Sequence, residues 1–359
     1  MRTVLALDYR PALLSQAGIG RAVRELARAL ARRDDVELHL FAHSLAAARV
    51  PCEVPAGVRL HRGPIPGRSL PWLARVGLGA DRLAGRCEVF HWTDYVQPPV
   101  IQAKTVWTVH DLAFLRDPSW HGNDAAPLAA RTRAMATGAT AIVAPSKATA
   151  ADVARLLPGT TPPIVIPFGS DHVPSFSAPT STGFDYVLCI GTIEPRKNHR
   201  ALLAAMRRLR PPRPRLLVIG KPGWECQDIV ADLRAAQRDG IAQWRTGVGD
   251  AEMFALLRGA KLLVYPSLWE GFGFPPLEAM ALGTPVVLHD CEPMRELTDG
   301  NALLCDATVP EALAAAIERG LCDAELRDRL THDGLARAGS FRWADCAAAH
   351  ARLYREIAQ

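Results

Sequence analysis

Strand-like and helix-like runs alternate along this chain in two series, and this alternation constrains the fold more than any other feature. The apolar runs that predict strands in the first half are residues 3–7, 36–41, 88–91, 105–110 and 139–144. Segments with helical periodicity lie between them, the clearest at 19–33, where apolar positions form one stripe and the arginines lie elsewhere. Such alternation is typical of a parallel sheet covered by helices and predicts an α/β fold.

A stretch rich in Ser, Thr, Pro and Gly at residues 171–183 interrupts the alternation and predicts a linker. A second series follows it, with predicted strands at residues 185–190, 216–219, 261–265, 284–288 and 302–305. A chain of 359 residues suits two domains of about 150 residues each. We therefore predict an N-terminal domain at 1–170, a C-terminal domain at 184–340 and a final helical segment at 341–359.

Composition narrows the class of protein. Hydrophobic residues make up 49% and charged residues 22%, which is typical of a soluble globular protein and excludes disorder. No apolar run approaches the ~18 residues that span a bilayer, and the apolar start, interrupted by Asp8, is too short for a signal peptide. The eight cysteines contain no Cys-x2-Cys pair, which disfavours a disulfide framework or a zinc site. These observations predict a cytoplasmic protein.

Positive charge is concentrated in the first half of the chain. The formal net charge is +5, and residues 1–170 contain 20 Lys and Arg against 13 Asp and Glu. Residues 68–86 mix arginines with Trp72 and aliphatic residues, as an interfacial amphipathic segment does. These features suit an anionic lipid surface or an anionic acceptor, and equally an arginine-rich surface that binds neither. Nucleic-acid binding is disfavoured because no clustered basic and aromatic platform is present.

Two carboxylates flank a glycine-rich turn in the second half. The predicted strand at 261–265 is followed by Glu270, then by Gly271 and Gly273, then by a predicted helix start that carries Glu278. Glycines let backbone N–H groups approach a ligand closely, and a helix N-terminus favours a phosphate. Two acceptors beside an anion cradle suit a nucleotide sugar. The alternative is a capped helix preceded by a solvated glutamate.

Basic residues and a second glycine pair provide further candidates. Arg196 and Lys197 follow the predicted strand at 185–190, where they would supply charge and donors to a diphosphate; the alternative is a solvated helix start. Gly18 and Gly20 open the helix at 19–33, but Val23 occupies the third glycine position of a dinucleotide fingerprint. A nicotinamide dehydrogenase is therefore disfavoured.

The string from Ser267 to Ala281, with Glu270-x7-Glu278, resembles the signature of the retaining GT-B glycosyltransferases of family 4. Further matches occur in the same order, from about residue 8 to about residue 305: Gly18-Ile-Gly20-Arg21, Thr108-Val-His110-Asp111, Ala144-Pro-Ser146-Lys147 and Gly191-Thr-Ile-Glu-Pro-Arg196-Lys197. The resemblance implies two Rossmann-like parallel-sheet domains that face an interdomain cleft. The first domain would bind the acceptor and the second the nucleotide sugar, with the C-terminal helix packing back on the first.

The resemblance also implies roles for residues. Glu270, Arg196, Lys197 and His110 would form the catalytic set: Glu270 would accept from sugar hydroxyls, the two basic residues would clamp the diphosphate, and His110 would contact the transferred sugar. The implied donor-binding residues are Gly18, Gly20, Gly191, Gly220, Phe272, Gly273, Phe274 and Glu278, the last at the ribose hydroxyls. No Asp-x-Asp follows a strand, so no metal and no cofactor beyond a GDP- or UDP-linked sugar is expected.

The predicted function is retaining transfer of a hexose, mannose or a related sugar, to a glycan or lipid-linked glycan, as in lipopolysaccharide and other polysaccharide biosynthesis. Peripheral contact with the cytoplasmic face of the inner membrane stays open. Three alternatives also stay open: a nucleotide-sugar epimerase, a glucan synthase, and a non-catalytic member that binds sugar nucleotides. A non-catalytic member is expected to lack Glu270, Arg196 or Lys197, and this chain has all three.

Overall fold

The computed structural model describes residues 2–16, 18–47, 50, 54–175 and 183–359, and the chain divides into two compact units. The first unit comprises Met1–Leu115, Ala126–Gly169 and Arg342–Gln359, and the second comprises Arg116–Ala125 and Ser170–Phe341. Part of the predicted linker, residues 176–182, lies outside the described residues.

The first unit contains seven strands and eight helices within the described residues. The strands are β1 (Thr3–Asp8), β2 (Val36–His43), β3 (Arg59–Gly63), β4 (Val89–Trp92), β5 (Lys104–Thr108), β6 (Ala141–Ala144) and β7 (Ile164–Val165). The helices are α1 (Arg10–Leu14), α2 (Ile19–Leu30), α3 (Leu70–Arg75), α4 (Ala80–Leu83), α5 (Ala113–Arg116), α6 (Ala125–Gly138), α7 (Lys147–Leu156) and, from the end of the chain, α15 (Trp343–Ala358).

The seven strands form one parallel sheet in the order β3-β2-β1-β4-β5-β6-β7. In the central strand β1, Leu5 pairs with Leu38 of β2 on one side and with Val89 of β4 on the other. The central strands are buried on both faces, because helices cover a parallel sheet on both sides. The sequence did not predict β3, which is largely polar and half-exposed, or β7, which has two residues.

The second unit repeats this design with six strands. They are β8 (Tyr186–Ile190), β9 (Arg215–Ile219), β10 (Ala242–Arg245), β11 (Leu263–Tyr265), β12 (Val286–His289) and β13 (Leu303–Cys305). The helices are α8 (His199–Arg208), α9 (Gln227–Arg238), α10 (Asp250–Gly259), α11 (Phe274–Ala281), α12 (Glu292–Thr298), α13 (Pro310–Cys322) and α14 (Ala324–Gly339). The sheet is parallel, in the order β10-β9-β8-β11-β12-β13. The edge strand β10 was not predicted, because it contains only one buried residue.

Residues 116–125 belong to the second unit, although the sequence assigned them to the first domain. The guanidinium of Arg116 lies 3.4 Å from the centroid of the Trp269 ring, and His121 stacks on Trp224. The indole of Trp224 also donates to the carbonyl of Trp120, 2.6 Å away. These aromatic contacts have no periodicity that a sequence pattern could reveal.

The final helix α15 packs on α2, β1 and β4 of the first unit. Its Tyr354 hydroxyl lies 2.7 Å from Nδ1 of His91, whose Nε2 is 2.7 Å from the Thr108 hydroxyl. Tyr354 and His91 are both fully buried, so this contact anchors the helix to the sheet. None of the helices in the described parts of the chain combines the length and the apolar character that crossing a bilayer requires.

Candidate active site

The second unit brings two loops together at the carboxyl ends of β8 and β11. These strands are neighbours in the sheet although two strands and three α-helices separate them in sequence, and the chain direction across the sheet reverses between them. Loops at such a switch point form the usual ligand crevice of open α/β sheets. The loop after β8 contributes Arg196 and Lys197, and the loop after β11 contributes Glu270. The backbone N–H of Leu268 donates to the carbonyl of Arg196 at 3.0 Å and joins the loops.

Glu270 is the centre of this cluster. Its Oε1 accepts from Nζ of Lys197 and from the hydroxyls of Ser267 and Tyr265, the last at 2.8 Å. Its Oε2 lies 3.1 Å from the guanidinium of Arg196. Burial raises the pKa of Glu270, but the two cations and the donors outweigh burial and lower it to about 2. The carboxylate is therefore ionised at neutral pH.

Arg196 is bound to the protein on several sides. Its guanidinium donates to Oε1 of Glu194 at 2.9 Å and to the carbonyl of Trp269. Glu194 is 1% exposed and Arg196 is 7% exposed. The predicted diphosphate clamp, Arg196 and Lys197, is thus matched by two carboxylates, and the four charges balance. The sequence analysis did not single out Glu194, Tyr265 or Ser267, although all three lie within or beside the quoted motifs.

The helix α11 begins beside this cluster. Its N-cap, Gly273, has φ +99°, a backbone conformation that strains any residue with a Cβ and therefore favours glycine. The side chains of Phe272 and Phe274 are buried and pack edge to face at 5.5 Å. Any contact of these two residues with a donor would therefore come from their backbone N–H groups.

Glu278 pairs with a histidine of the same unit. It is 1% exposed, and its Oε1 is 3.0 Å from Nε2 of His172. His172 fixes one carboxylate oxygen and is a residue that the sequence analysis did not identify. It follows Phe168-Gly-Ser-Asp, and no sequence pattern connects it with Glu278.

Two predicted donor-binding glycines have different surroundings. A Cβ on Gly220 would lie 1.8 Å from the carbonyl oxygen of Gly191, so Gly220 is required by the packing of two neighbouring strand ends. A Cβ on Gly191 would make ordinary contacts of 3.5 Å with the aliphatic stem of Lys197. Gly191 therefore lies directly against a predicted catalytic side chain.

His110 lies in the first unit, just beyond β5. Its Nε2 is 2.8 Å from the carbonyl of Thr93, and its ring stacks on Phe168. Burial lowers the pKa of His110 more than the Thr93 carbonyl and nearby aspartates raise it. The ring is therefore neutral at pH 7, Nε2 carries the proton that it donates to Thr93, and Nδ1 is an acceptor. Asp111 orients the local backbone, because its Oδ1 accepts from the N–H of Ala113 at 3.0 Å.

The glycines that open α2 differ from each other. Gly18 is exposed with φ +57°, a conformation that favours glycine. Gly20 is buried, and an added Cβ would lie 2.0 Å from the carbonyl oxygen of Ser15. Close backbone packing within the first unit accounts for Gly20 without a ligand. In the parts of the chain that the structure describes, no three His, Cys, Asp or Glu side chains are grouped to hold a metal ion.

Comparison with known proteins places the chain in a family. Residues 17–172 match the model of Glycosyltransferase Family 4, and residues 175–336 match that of Glycosyl transferases group 1. The chain is 30% identical over 285 residues to the O-antigen chain mannosyltransferase B of Escherichia coli, an alignment that covers 74% of each protein.

Solved structures share the fold over nearly the whole chain. Sucrose-phosphate synthase from Thermosynechococcus elongatus superposes with a TM-score of 0.81 at 22% identity, covering 99% of each chain. The Anabaena protein HepE, solved with UDP and glucose, gives a TM-score of 0.73 at 19% identity, covering 99% of this chain and 100% of its own. The two parallel-sheet α/β domains are of the GT-B type, and the resemblance read from the motifs is confirmed: the chain belongs to glycosyltransferase family 4.

Proposed function

We propose that this glycosyltransferase moves a hexose, mannose or a closely related sugar, from a nucleoside-diphosphate sugar to a glycan or lipid-linked glycan, with retention of configuration. One observation carries the proposal: a buried, ionised Glu270 is held between Lys197 and Arg196 at the switch point of the second sheet. The site can therefore offer cations to a diphosphate and a carboxylate to sugar hydroxyls within one cluster. The similarity to an O-antigen mannosyltransferase supports mannose as the sugar.

The charge balance of the cluster suggests how donor binding prepares the site. Two cations and two carboxylates cancel when no donor is bound. A diphosphate would compete with Glu270 for Lys197 and Arg196, since phosphate oxygens accept charge-assisted hydrogen bonds as carboxylates do. An oxygen of Glu270 released in this way can accept from a sugar hydroxyl. Binding of the diphosphate and orientation of the sugar would then be coupled through one carboxylate.

The same residues fit a retaining reaction. The family resemblance implies attack from the face of the departing group, with the donor phosphate taking the proton of the acceptor hydroxyl. Lys197 and Arg196 would stabilise the negative charge that develops on the departing nucleoside diphosphate in a buried setting. Glu278, fixed by His172, would hold the ribose. The neutral His110 would accept from a hydroxyl through Nδ1 and does not act as a general base in this scheme.

The donor and the stereochemistry can be tested together. Binding of UDP, GDP and ADP should be ranked by thermal shift, because a ligand that binds the folded state raises the melting temperature by mass action. The sugar nucleotide of the base that binds is then incubated with candidate acceptors, and proton NMR assigns the anomer formed. An inverted product, or no stabilisation by any of the three nucleotides, would contradict the proposal.

We also propose that the reaction requires no divalent metal ion, with Arg196 and Lys197 supplying the positive charge instead. Exhaustive chelation should leave the rate of transfer unchanged within a factor of about two. Loss of activity that Mg²⁺ or Mn²⁺ restores would show that the cationic side chains are not sufficient.

Peripheral membrane contact at the cytoplasmic face is the remaining part of the proposal. Trp72 of α3 is 64% exposed and Val76, just after it, is 57% exposed, with Arg68 and Arg75 close in sequence. Exposed aromatic and aliphatic side chains beside arginines suit an anionic lipid surface. Trp72→Ser should weaken cosedimentation with phosphatidylglycerol vesicles, whereas Leu335→Ser, at an exposed leucine of the second unit, should not. Equal binding by both variants would exclude this surface.

A further inference from the structure

The first unit contains a second polar cluster that none of the predicted site residues uses. It consists of Asp8 at the end of β1, Arg10 just after it, His43 at the end of β2 and Asp94 just after β4; we call it the Arg10 cluster. The guanidinium of Arg10 donates to Oδ2 of Asp94 and lies 3.8 Å from Oδ2 of Asp8. β1 and β4 form the switch point of the first sheet, where open α/β sheets bind ligands.

Backbone contacts hold the Arg10 cluster rigidly. The Thr93 hydroxyl donates to the carbonyl of Asp8 at 2.6 Å and joins the ends of β1 and β4. The indole of Trp107 donates to the carbonyl of Asp94 at 3.0 Å, and the N–H of Val96 donates to its Oδ1 at 2.8 Å. The side chains are therefore positioned before any ligand arrives, which lowers the entropic cost of binding one.

Three polar atoms of the cluster lack hydrogen bonds. Oδ2 of Asp8, Nε of Arg10 and Nδ1 of His43 are buried without a hydrogen-bond partner among the described residues, and Asp8 and His43 are 0% and 2% exposed. Buried polar groups are ordinarily satisfied, and each exception costs free energy. Burial, with the nearby Asp94, raises the pKa of Asp8 to about 7 despite Arg10. The outer members, Arg10 and Asp94, have side chains 13% and 14% exposed, so a ligand can reach the cluster.

We propose that the Arg10 cluster binds adjacent hydroxyl groups of an uncharged hexose, as the recognition site for the sugar that receives the transferred residue. Carboxylates accept from hydroxyls, and a guanidinium donates to hydroxyl or ring oxygens. Because two carboxylates surround one guanidinium, a phosphate or uronate would meet repulsion there. The assignment of this hexose as the acceptor rests on the proposed function. The binding of an uncharged hexose at this site does not depend on that function.

The position of Asp94 strengthens this assignment. It directly follows Thr93, whose carbonyl accepts from His110 and fixes the orientation of that ring. One short loop therefore carries both a member of the Arg10 cluster and the group that orients a predicted catalytic histidine. A sugar held by Asp94 would lie next to His110 within the first unit.

The experiment measures direct binding by the full chain, with saturation-transfer NMR as the readout. The probes are methyl α-mannoside and its C6-oxidised uronate, which differ in charge at one carbon. The test variant is Asp94→Asn, which keeps an acceptor for the N–H of Val96 and so favours correct folding. Arg10→Lys is the second variant. Asp34→Asn is the matched control, because Asp34 is exposed in the turn before β2, at the opposite end of the sheet.

We expect the wild-type protein to bind the mannoside and to bind the uronate at least about tenfold more weakly. Asp94→Asn should lose at least about tenfold in affinity for the mannoside. Asp34→Asn should bind the mannoside as the wild type does, and the melting temperature of Asp94→Asn should equal that of the wild type. Equal binding by Asp94→Asn, or preference for the uronate, would overturn the proposal. Nucleoside-diphosphate binding is measured in the same samples. Its absence from the wild-type protein would refute the donor assignment alone. If Asp94→Asn loses the mannoside but still binds the diphosphate, the loss belongs to the Arg10 cluster and not to the donor site.

Discussion

The two units share a strand order but place very different electrostatics at the same point of it. In the second unit, Glu270 is buried at the switch point, and two cations with two hydroxyl donors lower its pKa to about 2. In the first unit, Asp8 is buried at the corresponding point, and its pKa is raised to about 7. The difference arises because Asp8 shares a single guanidinium with Asp94, whereas Glu270 has Lys197 in addition to Arg196.

This contrast shows that a shared fold determines where a site lies but not what it binds. The second cluster is charge-balanced, and its two cations are already paired with carboxylates, so a ligand must displace an existing ion pair. The first cluster carries an excess of carboxylate and three atoms without hydrogen-bond partners among the described residues, so a ligand can add hydrogen bonds without breaking one. We expect the first to select uncharged hydroxyls and the second to select a diphosphate.

The contrast between the two clusters would be contradicted if removing Arg196 and removing Arg10 lowered the free energy of unfolding equally. Arg196→Ala removes the cation that pairs with two buried carboxylates, Glu194 and Glu270, and should lower the free energy of unfolding by about 3–5 kcal/mol. Arg10→Ala should cost clearly less, because Asp8 can take up a proton near pH 7. Urea unfolding followed by hydrogen exchange, resolved to each unit, measures both. The control is Arg200→Ala, an exposed ion pair with Asp232 that should change stability by about 1 kcal/mol or less.

Lys197→Ala tests whether the Glu270 cluster of the second unit acts in catalysis. Glu270 keeps Arg196, Tyr265 and Ser267 as partners in this variant, so the fold should persist while a charge-stabilising group is lost. Turnover of the nucleotide sugar at saturation should fall about a hundredfold or more. Arg200→Ala, in the first turn of α8, again serves as the control. Near-normal turnover by a folded Lys197→Ala variant would remove this lysine from the site.

The two glutamates of the second unit should separate binding from chemistry. Glu278→Gln should weaken binding of the nucleoside diphosphate about ten- to a hundredfold. A hydrogen bond to a charged acceptor contributes about 1.5–3 kcal/mol, and this contribution would be lost. Glu270→Gln should mainly lower turnover, since contacts with the reacting sugar can strengthen in the transition state. Calorimetric titration with the diphosphate, which lacks the sugar, distinguishes them. The reverse pattern would exchange the two assignments.

Acid should weaken the first unit before the second. Burial lowers the pKa of His43 and of His350 from 6.5 to about 4, so the folded state binds fewer protons than the unfolded state below pH 6.5. Their contribution to stability is complete above pH 6.5 and is lost between pH 6.5 and 4, at up to about 1.4 kcal/mol per pH unit for each histidine. Asp8 partly opposes this loss, because its raised pKa makes the folded state take up a proton in the same range.

In the second unit, burial and the nearby Lys197 lower the pKa of His199 to about 3, and burial also lowers the pKa of His289. The first unit has more such histidines, because burial also lowers the pKa values of His61, His91 and His110. Glu270 contributes stability that is lost only as pH falls from 4.5 towards 2. Hydrogen exchange at pH 7 and pH 5, corrected for intrinsic rates, should show a larger loss of protection in β2 and α15 than in β8 and β11. Equal losses in the two units would contradict this order.

Much of the architecture followed from local patterns. The central strands and the helices α2 and α15 were predicted within a few residues, because each combines an apolar run with the period of its element. The elements that escaped prediction, β3, β7 and β10, are edge strands that are short or half-exposed, so they lack that signal. The motifs located Arg196, Lys197 and Glu270, and the tertiary structure brought them into one cluster.

The sequence by itself determined the family, the two-sheet α/β fold and the residues at the ends of the strands, because spacing and period are properties of the linear chain. Only the tertiary structure decided how those residues are paired. That Glu194 balances Arg196, that His172 fixes Glu278, and that Gly20 is a packing glycine depend on contacts between segments distant in sequence or on space around one atom. Ionisation is decided in the same way: Glu270 and Asp8 are both buried carboxylates beside an arginine, and the number of cations that folding brings to each sets their opposite pKa shifts.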